Sequence, residues 1–296
     1  MTPATRHRLE ILGAALLFST GGAAIKATAL GAWQVAGFRS GVAALVLFLA
    51  LPAARRGWSW QVLPVSVAYA GTMVLFVAAN KLTTAASAIF LQSTSPLYIL
   101  LLGPLLLREP IRRRDLGFMA LVGLGLAPFF FSAGAPRATA SDPETGNLLA
   151  LLSGVCWAFT VVGLRWAGSR RGEEGSALPT VVAGNLLAFL ACLPQTLPVR
   201  AEAADWAVIA YLGAVQIGAA YVLLAGGLRH VPALEASVLL LLEPAVNPLW
   251  AWLAHGEAPG AWALAGGVLI LGATVARTWW DARAAPDVAA GLESPR

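Results

Sequence analysis

The stretch AASAIFLQSTSPLYILLLGPLLLREP, Ala85 to Pro110, is a long apolar run broken at its centre by Gln92, Ser93, Thr94, Ser95 and Pro96. A second stretch, ALEASVLLLLEPAVNPLWAWLAHGEAP from Ala233 to Pro259, repeats it. In this pairing Pro96 falls on Pro244, Ala88 on Ala236, Ser95 on Glu243 and Glu109 on Glu257. A membrane helix with polar groups and a proline at mid-depth, present twice, points to a solute pathway built from internal repeats.

Composition supports a membrane setting. Of the 296 residues 58% are hydrophobic and 12% charged, and the mean hydropathy is +0.72; a soluble domain carries about 25% charged residues. Apolar runs of the roughly 20 residues needed to cross a bilayer recur from end to end. The reading predicts an all-α integral membrane protein of ten spans, at about 10–30, 33–54, 62–81, 84–107, 114–133, 146–167, 177–198, 206–227, 232–254 and 260–280. Residues 9–133 form the first five-helix unit, 134–145 a periplasmic linker, 146–280 the second unit and 281–296 a disordered cytoplasmic tail. Arg6-His7-Arg8 before Ile11–Phe18 resembles a signal peptide, but the segment continues to spanning length and reads as an uncleaved first helix.

The net charge of +5 does not indicate nucleic acid, because the basic residues sit in short clusters between apolar runs. With the N-terminus inside, 15 of the 20 Lys and Arg residues fall on the cytoplasmic side; Lys26, Arg39, Lys81, Arg137 and Arg200 are the other five. That asymmetry places both termini in the cytoplasm. Five spans per half then reverse the second half, giving inverted-topology repeats. Two further matches follow the same order: FSTGGAAIK (Phe18–Lys26) with WAFTVVGLR (Trp157–Arg165), and Lys81 with Arg229.

These halves, each ending in a polar-Pro helix, a short Arg/Gly-Glu-Pro/Ala turn and a Gly-rich last span, resemble the EamA-type branch of the drug/metabolite transporter superfamily. The Gly-rich spans carry Gly117, Gly123 and Gly125, and Gly266, Gly267 and Gly272. The resemblance covers residues 10–280 and implies a bundle of ten helices around a central cavity in the bacterial inner membrane. It implies a secondary exporter of small metabolites, amino acids first. Drugs or other metabolites are the alternative cargo, and a channel or sensor the rival class.

Glu243, near mid-membrane, is the sharpest candidate for binding a substrate amine or a proton, since a carboxylate there is costly unless paired or hydrated. Asn247 lies one turn on. Gln92 and Ser95 share a face and can serve as helix–helix glue or as solute contacts. Tyr69, Phe76, Asn80, Tyr98, Asn185, Gln216 and Tyr221 are further pathway candidates, with Phe18 and Trp157 as aromatic walls. Pro96, Pro244 and Pro248 are candidate hinges. Lys26 and Lys81 are expected to snorkel to the outer interface, Glu235 to snorkel or pair with Arg229, and Arg39 to pair with a carboxylate or a helix end. Trp33, Trp58, Trp60, Trp206, Trp262, Trp279 and Trp280 read as an aromatic belt. Cys156 and Cys192 lie in apolar runs without metal or redox spacing. No phosphate-binding loop, zinc motif or hydrolase elbow appears, so no nucleotide-driven pump, metal or other cofactor and no enzyme activity is expected.

Overall fold

The computed structural model describes residues 3–60, 62–102, 113–131, 138–170, 178–228 and 239–290, and the chain it describes is all-helical. In hydrocarbon each backbone N–H and C=O must find an internal partner, which a helix provides for every apolar run. The elements are α1 (Pro3–Ser19), α2 (Gly21–Lys26), α3 (Ala32–Ala50), α4 (Val62–Leu82), α5 (Ala85–Gln92), α6 (Ser95–Leu102), α7 (Arg113–Phe131), α8 (Pro143–Arg170), α9 (Leu178–Cys192), α10 (Ala203–Ala210), a π-helical segment (Tyr211–Ala219), α11 (Ala220–Leu228), α12 (Leu242–His255) and α13 (Ala261–Ala290).

Among the described residues six stretches are long and apolar enough to cross a membrane: Thr5–Lys26, Ala32–Ala50, Val62–Leu82, Pro143–Gly163, Leu178–Gln195 and Ala203–Gly227. Ala85–Leu101, Leu116–Pro128 and Ala261–Ala276 are shorter apolar helices. The expected ends of the fourth and ninth spans, together with Glu109, Arg229 and Glu235, lie outside the described residues. The last helix continues to Ala290, so residues 281–290 are helical where a disordered tail is expected. Ala282, Ala284, Ala285, Ala289 and Ala290 favour the helix, against the cost of Pro286 within it.

The prolines act differently from the expectation. The helix of the opening stretch ends at Gln92, and Ser93 and Thr94 turn their hydroxyls back onto the carbonyls of Ile89 and Leu91. A new helix starts at Ser95, so Pro96 occupies its first turn, where the missing N–H costs nothing. Leu241 likewise caps α12, placing Glu243 and Pro244 in that helix's first turn. Only Pro248 sits inside its helix. Pro96 and Pro244 therefore start half-helices and do not kink continuous ones.

Packing runs α4 on α8 and α1 on α11, α5 on α8 and α1 on α12, α4 on α9 and α3 on the π segment, α3 on α9, and α7 on α13. Glycines allow the closest approaches. A Cβ at Gly213 would stand 2.6 Å from the Arg39 carbonyl oxygen and 2.6 Å from the Val42 Cβ. Gly213→Ala is expected to push the π segment off α3 and lower stability by about 1–3 kcal/mol, as overpacking does. Thermal unfolding in detergent checks this, with Gly117→Ala as the comparison. A Cβ at Gly117 meets nothing within 4 Å, so that variant unfolds no lower than the parent.

Candidate functional site

Two polar layers lie inside the bundle, one central and one at the end that charge bias assigns to the outside. The central layer is built on Tyr69 (α4) and Tyr221 (α11), whose ring centroids are 5.4 Å apart. Phe18 (α1) meets Tyr221 edge-on at 5.1 Å, and Trp157 (α8) packs against the same cluster. Asn185 (α9) donates Nδ2 to the Tyr69 hydroxyl at 2.9 Å and to the Val181 carbonyl at 2.9 Å, which leaves its Oδ1 without a partner. Gln216, held by the π segment, donates to the Phe18 carbonyl at 3.4 Å, and its Oε1 has no partner. Glu243 is half-buried at the first turn of α12, near enough to Tyr221 to act on it electrostatically. A helix N-terminus favours negative charge there.

Six of the sequence candidates, Phe18, Tyr69, Trp157, Asn185, Gln216 and Tyr221, thus converge with Glu243 beside them. The others do not join them. Gln92 donates to the Ser153 hydroxyl at 2.7 Å, which donates to the Thr72 carbonyl at 3.2 Å, so Gln92 ties α5 to α8 and α4. Tyr98 packs at Gly154 of α8, and Ser95 is buried at the start of α6. Asn80 is buried and donates back to Phe76; Phe76 itself packs in the cluster nearer the outer end. Asn247 is fully buried with both amide atoms unpartnered, and it lies against Gly22 of α2.

The expectation for Lys26 is overturned. Its side chain is 6% exposed and sits 3.1 Å from the Glu257 carboxylate, itself 5% exposed. Lys26 also donates to the carbonyls of Thr83 (2.9 Å) and Thr139. The other Glu257 oxygen accepts the Ala85 amide at 2.6 Å, at the start of α5. Lys81 does not snorkel free either, since it donates to the Thr28 carbonyl at 2.7 Å. Asp205 accepts from the Thr28 hydroxyl and from the amides of Ala29 and Glu202. Thr83 donates to Asn147, and His255 contacts the Ala23 carbonyl at 2.8 Å. Just outside the spans, the Thr145 side chain and amide hold the Asp142 carboxyl below the usual carboxylate range. This layer ties five chain segments together at that end of the bundle. Its signal in the sequence was a set of polar residues at outer span ends, which snorkelling explains equally well.

Arg39 departs from its expectation as well. It is 1% exposed and donates Nη2 to the Met73 carbonyl at 3.0 Å, pairing with neither a carboxylate nor a helix end. Seven residues into α3, it stands about 10 Å below the outer end of that helix at about 1.5 Å per residue. Among the described residues no group of three or more His, Cys, Asp or Glu is placed to hold a metal ion. Trp33, Trp58, Trp60, Trp206 and Trp262 are exposed, as an aromatic belt requires.

An all-helical chain with a hydrophobic exterior and polar groups at its centre is a multi-pass membrane protein. The chain belongs to the EamA-like transporter family, whose model matches it twice, over residues 9–131 and 144–278, and it is a protein of the bacterial inner membrane. Pseudopaline exporter CntI, from two strains of Pseudomonas aeruginosa, is 27% identical over 273 residues, covering 89% of this chain and 92% of the relative. A crystal structure of another protein superposes over 98% of this chain and 99% of its own, with a TM-score of 0.61 and 22% identity, a likeness that concerns the fold alone.

Proposed function

We propose that this protein is a secondary exporter that moves small metabolites, amino acids first, by alternating access between inverted repeats. The observation that carries the reading is the buried outer seal, in which Lys26 from the first half and Glu257 from the second close the bundle above a polar, aromatic centre. A carrier needs such a seal on one side at a time, made of contacts that break and re-form. The two family matches support the duplication. So does the packing: exchanging the halves turns the α4–α8 contact into α11–α1 and the α5–α8 contact into α12–α1, while α3–α9 and α7–α13 map onto themselves. Half-helices starting at Ser95 and Leu242 supply the movable walls, with Pro248 as the remaining hinge within a helix.

Glu243 is the acceptor for a substrate amine or a proton, the proton being the candidate coupling ion; Asn185 and Gln216 offer carbonyl oxygens beside it. Among the described residues the Asn80 Oδ1 and both Asn247 amide atoms are unpartnered, which leaves polar atoms free between the seal and the centre. The relative that exports pseudopaline favours a second reading, a metabolite other than the protein amino acids.

Counterflow into proteoliposomes tests both readings. A panel of labelled amino acids and other small metabolites identifies the cargo by saturable exchange, whereas conductance without saturation identifies a channel. Glu243→Gln is expected to lower exchange at least about tenfold and to flatten its pH profile, within the range that a positioned acid–base group contributes. Unchanged saturation and pH response in that variant would remove Glu243 from the pathway.

A further inference from the structure

Arg39 is a charged group that no carboxylate among the described residues neutralises. Its guanidinium is 99% buried within a membrane span, where an unpaired charge is expensive. α3 packs against α4, α9 and the π segment. The groups that act on Arg39 electrostatically are Tyr69 of α4, Cys192 of α9 and Tyr221 of α11, none of them a carboxylate. Glu10 pairs with Arg6 and His7, and Glu257 with Lys26, so these carboxylates are engaged elsewhere. Of the five N–H donors of a guanidinium, those on Nη2 reach the Met73 carbonyl and, at 3.7 Å, its sulfur, while Nε has no partner.

Such a charge persists in a fold when something repays it. We propose that Arg39 is the anchor for a substrate carboxylate, which makes the cargo a monocarboxylate of amino-acid type; this inference rests on the exporter reading above. A carboxylate matches the guanidinium fork with two parallel hydrogen bonds. A phosphate ester would call for further cations, and Lys26 and Lys81 are engaged at the outer seal. Arg39 acts electrostatically on Tyr69 and Tyr221, whose rings offer an apolar wall for the rest of the substrate. The Tyr69 hydroxyl also binds Asn185, whose free Oδ1 is an acceptor suited to an ammonium group. In the closed protein described here the site is collapsed onto Met73. Opening exchanges that neutral carbonyl for the stronger anionic acceptor.

The experiment compares phenylalanine with phenylalaninamide, which differ only in the carboxylate, as competitors in counterflow by the parent, Arg39→Gln and Arg39→Lys in proteoliposomes. The parent is expected to prefer the acid by at least about tenfold, the effect of one charge-assisted bidentate contact. Arg39→Gln should shrink that preference to about twofold or less, and Arg39→Lys should keep part of it. A folded Arg39→Gln that discriminates as the parent does overturns the inference. A parent that transports but favours the amide overturns it and leaves the exporter reading standing, whereas a parent that moves nothing in the wider metabolite panel overturns both. Thermal stabilisation of the parent by each compound gives a readout independent of the variants' folding. Equal stabilisation by acid and amide counts against the carboxylate anchor.

Discussion

Glu257→Gln is expected to unseal the outer end of the protein. The variant leaves the Lys26 ammonium buried with only the carbonyls of Thr83 and Thr139, and places it and Lys81 at one end with Asp205 as the nearby anion. Removing one partner of a buried ion pair costs about 3–5 kcal/mol, mostly for the charge left behind. Lys26→Met should cost less, because the Glu257 carboxylate keeps the Ala85 amide at the N-terminus of α5, where negative charge is favoured. The double variant Lys26→Met/Glu257→Gln buries no unpaired charge and should be the mildest of the three. Its shortfall from the sum of the singles measures the coupling.

Accessibility separates a gate from a staple. Asn80 lies next to Lys81, fully buried, so a cysteine placed there on a background lacking Cys156 and Cys192 reports opening from outside. Labelling by an impermeant maleimide should be slow in the parent and at least about tenfold faster with Glu257→Gln, since about 1.4 kcal/mol already shifts a population tenfold. Lower thermal stability with unchanged labelling would make the pair a structural staple and remove the chief support for alternating access at this end.

How far the chain could be read without its structure depends on the range of the interaction. Apolar runs report helices because lipid leaves the backbone no other partner, so the six described stretches long enough to cross a membrane fall within about five residues of their expected bounds. The break at Ser93–Thr94 was visible as a polar cluster, yet whether Pro96 kinks a helix or starts one depends on where the previous helix ends. That is decided by hydroxyls folding back onto Ile89 and Leu91. Lys26 was ambiguous for a different reason. A lysine near a span end snorkels unless a carboxylate waits for it, and Glu257 arrives from the other half of the chain. Arg39 was harder still, because what sets it apart is that no carboxylate among the described residues pairs with it, which pattern and spacing do not display. Of the central residues, Phe18 and Trp157 were singled out by the internal repeat, whereas Tyr69 and Tyr221 were candidates only as aromatic groups within spans.

Gly184→Ala should show how finely that centre is set. The Cβ it adds would stand 2.5 Å from Tyr69 Cδ1 and 2.8 Å from Cγ, closer than real Cβ contacts come. Tyr69 cannot yield freely: it is fully buried, bonded through its hydroxyl to Asn185 and tilted against Tyr221. The ring must turn, and the Asn185 bond and the Tyr221 contact are lost with it. The stability loss should be about 1–3 kcal/mol, similar to Gly267→Ala, because both insert a methyl group into a packed helix interface. Transport distinguishes them. A Cβ at Gly267 would stand 2.6 Å from the Phe90 ring of α5, whereas Gly184 touches the ring that walls the proposed site. At a temperature where both variants remain folded, Gly184→Ala should lose counterflow at least about tenfold, as displacements of about 1 Å in a binding site can. Gly267→Ala should lose much less. Equal activity losses that track stability alone would mean that the Tyr69–Tyr221 wall holds the bundle together without touching cargo.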